Sequence, residues 1–156
     1  MGWRFLVGLV AVAITTLCPG VSGGEPAPSV RYVGSKACAG CHDKQYETFQ
    51  KYSKKAHSSK SLRLMAPKLT PEELTGCYAC HTTGYGRPGG FTSFADTPGL
   101  AEAGCEVCHG PGSIHAASGD PADIKGKPTV ADCQGCHNET RVRAFGYKPL
   151  LRAGAH

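Results

Sequence analysis

The chain has 156 residues, with 21 glycines, 11 prolines, 8% aromatic residues and a formal net charge of +5. This length supports one small domain, and the Gly and Pro content stays below the level of a disordered low-complexity chain. Its own side chains make a thin core, so the fold needs disulfides, metals or a prosthetic group. The nine cysteines indicate which.

The first 23 residues are typical of a secretory signal peptide. The basic Arg4 precedes a 14-residue apolar stretch that ends at Cys18, and a turn-forming tail ends at Gly23. The stretch is shorter than the roughly 20 residues that span a bilayer. We expect removal of residues 1–23, leaving 24–156 as the domain, with a retained anchor or a lipid-modified Cys18 as alternatives. No later stretch predicts a membrane helix.

All eight later cysteines belong to four Cys-x-x-Cys-His motifs. The motifs are Cys38, Cys41 and His42; Cys77, Cys80 and His81; Cys105, Cys108 and His109; and Cys133, Cys136 and His137. This pattern is the c-type haem attachment signal. Two thiols on one helical turn can each form a thioether with haem while the adjacent His binds the iron. Zinc sites and a disulfide scaffold are the alternatives, but four matches that use every remaining cysteine favour four covalently bound c haems.

The segments between the motifs predict a fold that is mainly α with extensive coil. Residues 43–57 predict the longest helix, since they lack Gly and Pro and place Tyr46, Phe49 and Ser53 on one face. A capping box begins a short second helix at Thr70. Residues 84–99 and 110–128 predict irregular connections, with at most a small hairpin within 85–94.

The chain has few residues for each haem that it is predicted to bind. The 133 residues from position 24 onward offer roughly 33 residues per haem, so four haems must form most of the core and lie close together. The sequence therefore predicts a compact multihaem cytochrome c fold.

A count of the remaining histidines limits iron coordination. Outside the motifs only His57, His115 and His156 are available as further axial ligands. Three imidazoles cannot serve four irons. One haem is therefore five-coordinate, uses another ligand such as the Met65 thioether, or takes a residue from another chain.

The order of these features resembles the tetrahaem cytochrome c-554 family. The segments that carry the resemblance are YVGSKACAGCH, a predicted helix ending in KAH, GCYACHTTGYGRPGGFT, GCEVCHGPGSIH and DCQGCH. They cover residues 32–137. The GCEVCHGPG segment and the glycine-aromatic run after the second motif are the more specific parts, since haem attachment alone does not require them.

The resemblance implies an electron carrier whose haems are mostly bis-histidine. It implies that His115 binds the iron of the first motif, that His57 binds that of the fourth, and that the haem on His81 is five-coordinate. In the family, the ligand for the third motif comes from a C-terminal region. His156 is the remaining candidate for the haem on His109.

The charge excludes a nucleic-acid binder. Without the signal peptide the chain has 16 basic and 12 acidic residues, and the propionates of four haems cancel this excess, which removes the electrostatic basis for binding phosphates. A local cluster remains basic, and it is either a solvated face or a docking patch for an acidic redox partner. Its members are Lys51, Lys54, Lys55, Lys60 and Arg63.

The predicted function is that of a periplasmic carrier which passes electrons between donor and acceptor oxidoreductases. Export to the outer surface is an alternative location. Two other functions stay open: a small reductase acting on nitric oxide or hydroxylamine at the open haem, and a subunit of a cytochrome chain or filament in which a neighbour completes the fourth haem.

Overall fold

A computed structural model of the chain describes residues 1–2 and 29–138. Most of the predicted signal peptide, including Cys18, and the candidate ligand His156 lie outside the described residues. The described part contains short α-helices joined by coil, and no strand is found within it. The helices are α1 (Ser35–Cys38), α2 (Asp43–Tyr52), α3 (Ser59–Met65), α4 (Pro71–His81), α5 (Glu106–His109), α6 (Ser113–Ser118) and α7 (Val130–Gln134). The predicted class, mainly α with extensive coil, is confirmed.

The longest predicted helix is interrupted. Helix α2 ends at Tyr52 because Ser53 takes an extended conformation, and its hydroxyl accepts a hydrogen bond from the Lys55 amide. A 3-10 turn (Lys54–His57) then replaces the last helical turn. The prediction of one helix to residue 57 is therefore wrong at its end, since a serine that caps the next turn competes with helix continuation.

The capping box at Thr70 is confirmed. The Thr70 hydroxyl accepts from the Glu73 amide and the Glu73 carboxylate accepts from the Thr70 amide. Helix α4 runs on through Gly76 to His81, further than the short helix that the sequence predicts.

The predicted connections are less irregular than expected. Helix α6 and a 3-10 turn (Pro121–Asp123) lie within residues 110–128, and a second 3-10 turn (Pro98–Leu100) begins at the end of residues 84–99. Residues 85–94 form turns without a hairpin. Helix α3 is an element that the sequence analysis did not predict.

The core of the described residues is thin, as expected. Its main cluster gathers around Phe91, which is 2% exposed and packs with Leu100 and Ala101. Tyr78 of α4 meets the Phe91 ring edge-on, with ring centres 5.2 Å apart. Few other apolar side chains are buried, so the chain leaves room for large apolar cofactors to complete the interior.

No helix among residues 29–138 is long and apolar enough to cross a membrane.

Candidate functional site

Each Cys-x-x-Cys-His motif forms one helical turn. In the first motif the amides of Cys41 and His42 both donate to the Cys38 carbonyl, at 3.2 and 2.9 Å. The third and fourth motifs repeat this pattern on the carbonyls of Cys105 and Cys133, and the second forms the last turn of α4. One turn brings both sulfurs and the imidazole of each motif to the same side of the backbone.

The cysteines also connect the four motifs in space. The interaction between Cys38 and Cys105 lowers the pKa of Cys105 to about 6 and raises that of Cys38. Burial, with a hydrogen bond to Cys80, raises the pKa of Cys136 to about 12. Burial also raises the pKa of Cys108, and the nearby Cys133 adds to that rise. The first motif therefore lies near the third, the third near the fourth, and the fourth near the second.

The first motif faces a histidine from much later in the chain. The rings of His42 and His115 lie with their centres 6.1 Å apart and their planes at 25°. A metal–imidazole bond of about 2 Å on each side, with about 1 Å from each nitrogen to its ring centre, gives a separation of about 6 Å. The separation of these two ring centres therefore equals that of two imidazoles bound to one iron.

Backbone carbonyls hold three of the histidine rings through Nδ1. The carbonyl of Lys125 lies 2.7 Å from His109 Nδ1, and that of Asp120 lies 2.8 Å from His115 Nδ1. When Nδ1 donates to such a carbonyl, Nε2 is left as the metal-binding nitrogen.

His81 has a weaker version of this arrangement. Its Nδ1 lies 3.3 Å from the Ser58 carbonyl, and the Ser58 hydroxyl donates to the His81 carbonyl at 2.7 Å. Ser58 is thus a supporting residue for the second motif that sequence reasoning missed. A carbonyl partner has no side-chain signature, so only the three-dimensional structure reveals it.

His57 has a different environment. Its Nε2 lies 2.9 Å from the Gln50 carbonyl, so the ring contacts the helix that precedes it. The pKa of His137 is lowered mainly by burial and, to a smaller extent, by the charge of Lys55. Lys55, two residues before His57, therefore lies near the fourth motif. The segment that carries His57 therefore lies beside the fourth motif, although the ring itself is turned towards Gln50.

The alternative ligand and the basic cluster lie on the surface. Met65 ends α3 and is 45% exposed. Lys54 and Lys60 are exposed, Lys55 is half-buried, and the Arg63 guanidinium lies 4.2 Å from the centre of the Phe94 ring. Within residues 29–138 the cluster forms no ion pair with a carboxylate.

Comparison with known proteins identifies the family. The family model described as cytochrome c554 and c-prime matches residues 37–110. Cytochrome c-554 of Nitrosomonas europaea is 34% identical over 140 residues, which cover 78% of this chain and 57% of that protein. Both matches support the assignment of the chain to the cytochrome c-554 family. The resemblance found in the sequence is thereby confirmed, and the chain spans little more than half the length of that relative.

The four motifs and the similarity to cytochrome c-554 support a multihaem c-type cytochrome, with covalently bound, iron-containing haem c. No solved structure gave a significant match.

The residues present fit this cofactor. The cysteines of each motif share one helical turn with a histidine, and few apolar side chains of the described residues are buried without a cofactor. Thioether bonds from the two sulfurs would hold each haem, and the motif histidine would bind its iron.

Proposed function

We propose that this protein is an exported tetrahaem electron carrier whose haems form one continuous row. Four complete motifs support the number of haems. The contacts among their cysteines support the row, in the order first, third, fourth, second. Bound haem supplies reversible one-electron chemistry at iron, and the chain holds neighbouring haems close enough for transfer between them.

The observation that carries this proposal is the pair His42 and His115. Their residue numbers differ by 73, yet their ring centres lie 6.1 Å apart, which is the separation of two imidazoles on one iron. The Asp120 carbonyl holds Nδ1 of His115, so Nε2 is available to the metal. An iron with imidazole on both sides has no free position for substrate, which suits electron transfer rather than turnover.

We further propose that the haem on His81 is five-coordinate. Three histidines outside the motifs are available for four irons, and the proposed ligands are His115 for the first motif, His57 for the fourth and His156 for the third. The family resemblance supports the assignments of His115 and His57, and His156 is the remaining candidate for the third motif. An open iron can bind a small probe such as nitric oxide, even where its role is to carry electrons.

Location and partners complete the proposal. The first 23 residues have the pattern of a secretory signal, which supports export to the periplasm. The partners are then a donor and an acceptor oxidoreductase in that compartment. Charge complementarity with the basic cluster favours an acidic protein as one of them.

The test combines haem counting with electron paramagnetic resonance on the oxidised, haem-loaded protein. Mass spectrometry of the wild type should show four added haems. His115→Ala should convert one low-spin haem to high-spin. His115→Met should keep that haem low-spin and raise its potential. Met65→Leu is the matched control and should leave every signal unchanged.

Four results would contradict parts of the proposal. Fewer than four haems would reject the tetrahaem carrier. Unchanged low-spin signals in His115→Ala would reject that ligand, and loss of a low-spin signal in Met65→Leu would make Met65 a ligand. Nitric oxide should bind one haem in the wild type; no binding at all would reject the open site at His81.

A further inference from the structure

One buried carboxylate lies between the first and third motifs. Glu106 is the residue after Cys105 and is 3% exposed. Its oxygens accept hydrogen bonds from three backbone amides: Val33 at 2.9 Å, Gly34 at 2.7 Å and Gly112 at 2.8 Å. A buried carboxylate without such partners is costly, so this site is built to hold it.

All the contacts described for the Glu106 carboxylate come from N–H donors. Donors on both oxygens suit the ionised carboxylate, which only accepts hydrogen bonds. The backbone is shaped for this contact: Gly34 has a φ of +81°, and a methyl group on Gly112 would lie 3.3 Å from Oε1. The site therefore carries a fixed negative charge.

This charge lies beside two haem attachment sites. Glu106 directly follows Cys105 in the sequence. The pKa of Cys38 is raised mainly by Cys105 and by burial, and the nearby charge of Glu106 adds to this rise. The carboxylate also links the segment before the first motif to the turn that leads to His115. No side chain of opposite charge contacts it among the hydrogen bonds and ion pairs of residues 29–138.

A negative charge in a poorly solvated position stabilises the ferric over the ferrous form of a nearby haem. We propose that Glu106 is a potential-setting residue, which keeps the reduction potentials of the haems on the first and third motifs low. The inference rests on the proposed attachment of haem at those two motifs. Electrons would then leave these haems more readily than they would without the carboxylate.

The magnitude follows from simple electrostatics. A unit charge at about 10 Å, in a medium of effective dielectric constant near 20, changes a charge-dependent equilibrium by roughly tenfold. A tenfold change corresponds to about 59 mV for a one-electron couple. Because the group is buried, salt should screen this effect little.

The experiment is a spectroscopic redox titration of the haem-loaded protein, with haem content measured for each variant. Glu106→Gln keeps the shape and removes the charge. This variant should raise the reduction potentials of the haems on the first and third motifs, by an amount equal to a roughly tenfold change in the reduction equilibrium. The rise should be the same in low and high salt. Gly112→Ala is the matched control, since it crowds the same carboxylate but keeps its charge, and its potentials should stay near those of the wild type.

The outcomes separate charge from packing. Unchanged potentials in Glu106→Gln, or an equal rise in Gly112→Ala, would overturn the inference. If Glu106→Gln takes up no haem, Glu106→Asp is measured instead, because it keeps the charge. Normal haem loading with wild-type potentials in Glu106→Asp would support a role of the charge. If Glu106→Asp also takes up no haem, the residue acts through packing and the inference is overturned. A wild type without haem at these motifs would instead reject the proposed function.

Discussion

The loop after the second motif allows one sharp prediction about stability. Gly90 is buried, and a Cβ atom at this position would lie 1.8 Å from the carbonyl oxygen of Gly84 and 2.4 Å from its carbon. Both atoms belong to the backbone, so no side chain can rotate away. Gly90→Ala must therefore separate the two sides of the loop.

The cost follows from the contacts that this separation breaks. Arg87 donates to the Gly84 carbonyl at 2.9 Å, and Phe91 donates to the Thr83 carbonyl at 2.9 Å. Each hydrogen bond contributes about 1 kcal/mol net. Full burial of Phe91 contributes roughly 2 kcal/mol, and its partial exposure would lose about half of this. Together with the two hydrogen bonds, the expected loss in the free energy of unfolding is about 3 kcal/mol.

Gly76→Ala is the matched control. Gly76 lies within α4, where an added Cβ meets nothing within 4 Å, so alanine should stabilise the helix by about 0.5–1 kcal/mol. Both variants are measured by guanidinium unfolding of the haem-loaded protein, followed by far-ultraviolet circular dichroism. If Gly90→Ala unfolds within about 0.5 kcal/mol of the wild type, the reasoning from this close backbone approach is refuted.

Two further predictions concern charged side chains. Hydrogen bonds from Lys125 and Thr129 lower the pKa of Asp132 to about 2. The ionised Asp132 therefore stabilises the fold above its ordinary pKa of 3.8, and this contribution is lost as the pH falls towards 2. Asp132→Asn should abolish that part of the acid dependence in circular dichroism unfolding, and an unchanged acid profile would contradict the assignment. In the basic cluster, Lys54→Glu with Lys60→Glu should slow electron transfer to an acidic redox protein by roughly tenfold at low salt, with the difference lost near 1 M salt. Stopped-flow rates that do not differ at low salt would exclude docking at this face.

Local chemistry made part of this protein predictable from its sequence. The motif cysteines and the Thr70 capping box depend on residues a few positions apart, and the structure forms helical turns at all of them. The end of α2 was not predictable, because Ser53 fits a helix face as well as it fits the cap of the next turn. The sequence is compatible with Ser53 inside a helix and with Ser53 as a cap, and tertiary packing selects the cap.

Long-range contacts explain what the sequence did not reveal. Glu106 stands at a variable position of its motif, and nothing nearby indicates that it would be buried against amides 72 and 73 positions away. Ser58 likewise supports His81 from outside every motif. The whole fold determines which residues make such contacts, and no local pattern encodes them.

The pairing of His42 with His115 has a consequence for how the protein matures. During synthesis the first motif emerges well before His115, which follows 73 positions later. If His115 binds the first haem as proposed, a haem attached early would lack that ligand until helix α6 folds back. Closing so long a loop costs entropy that the late iron–imidazole bond can offset. Coordination of the first haem would then be among the last steps of assembly, and the colour change from high-spin to low-spin iron would report that the fold is complete.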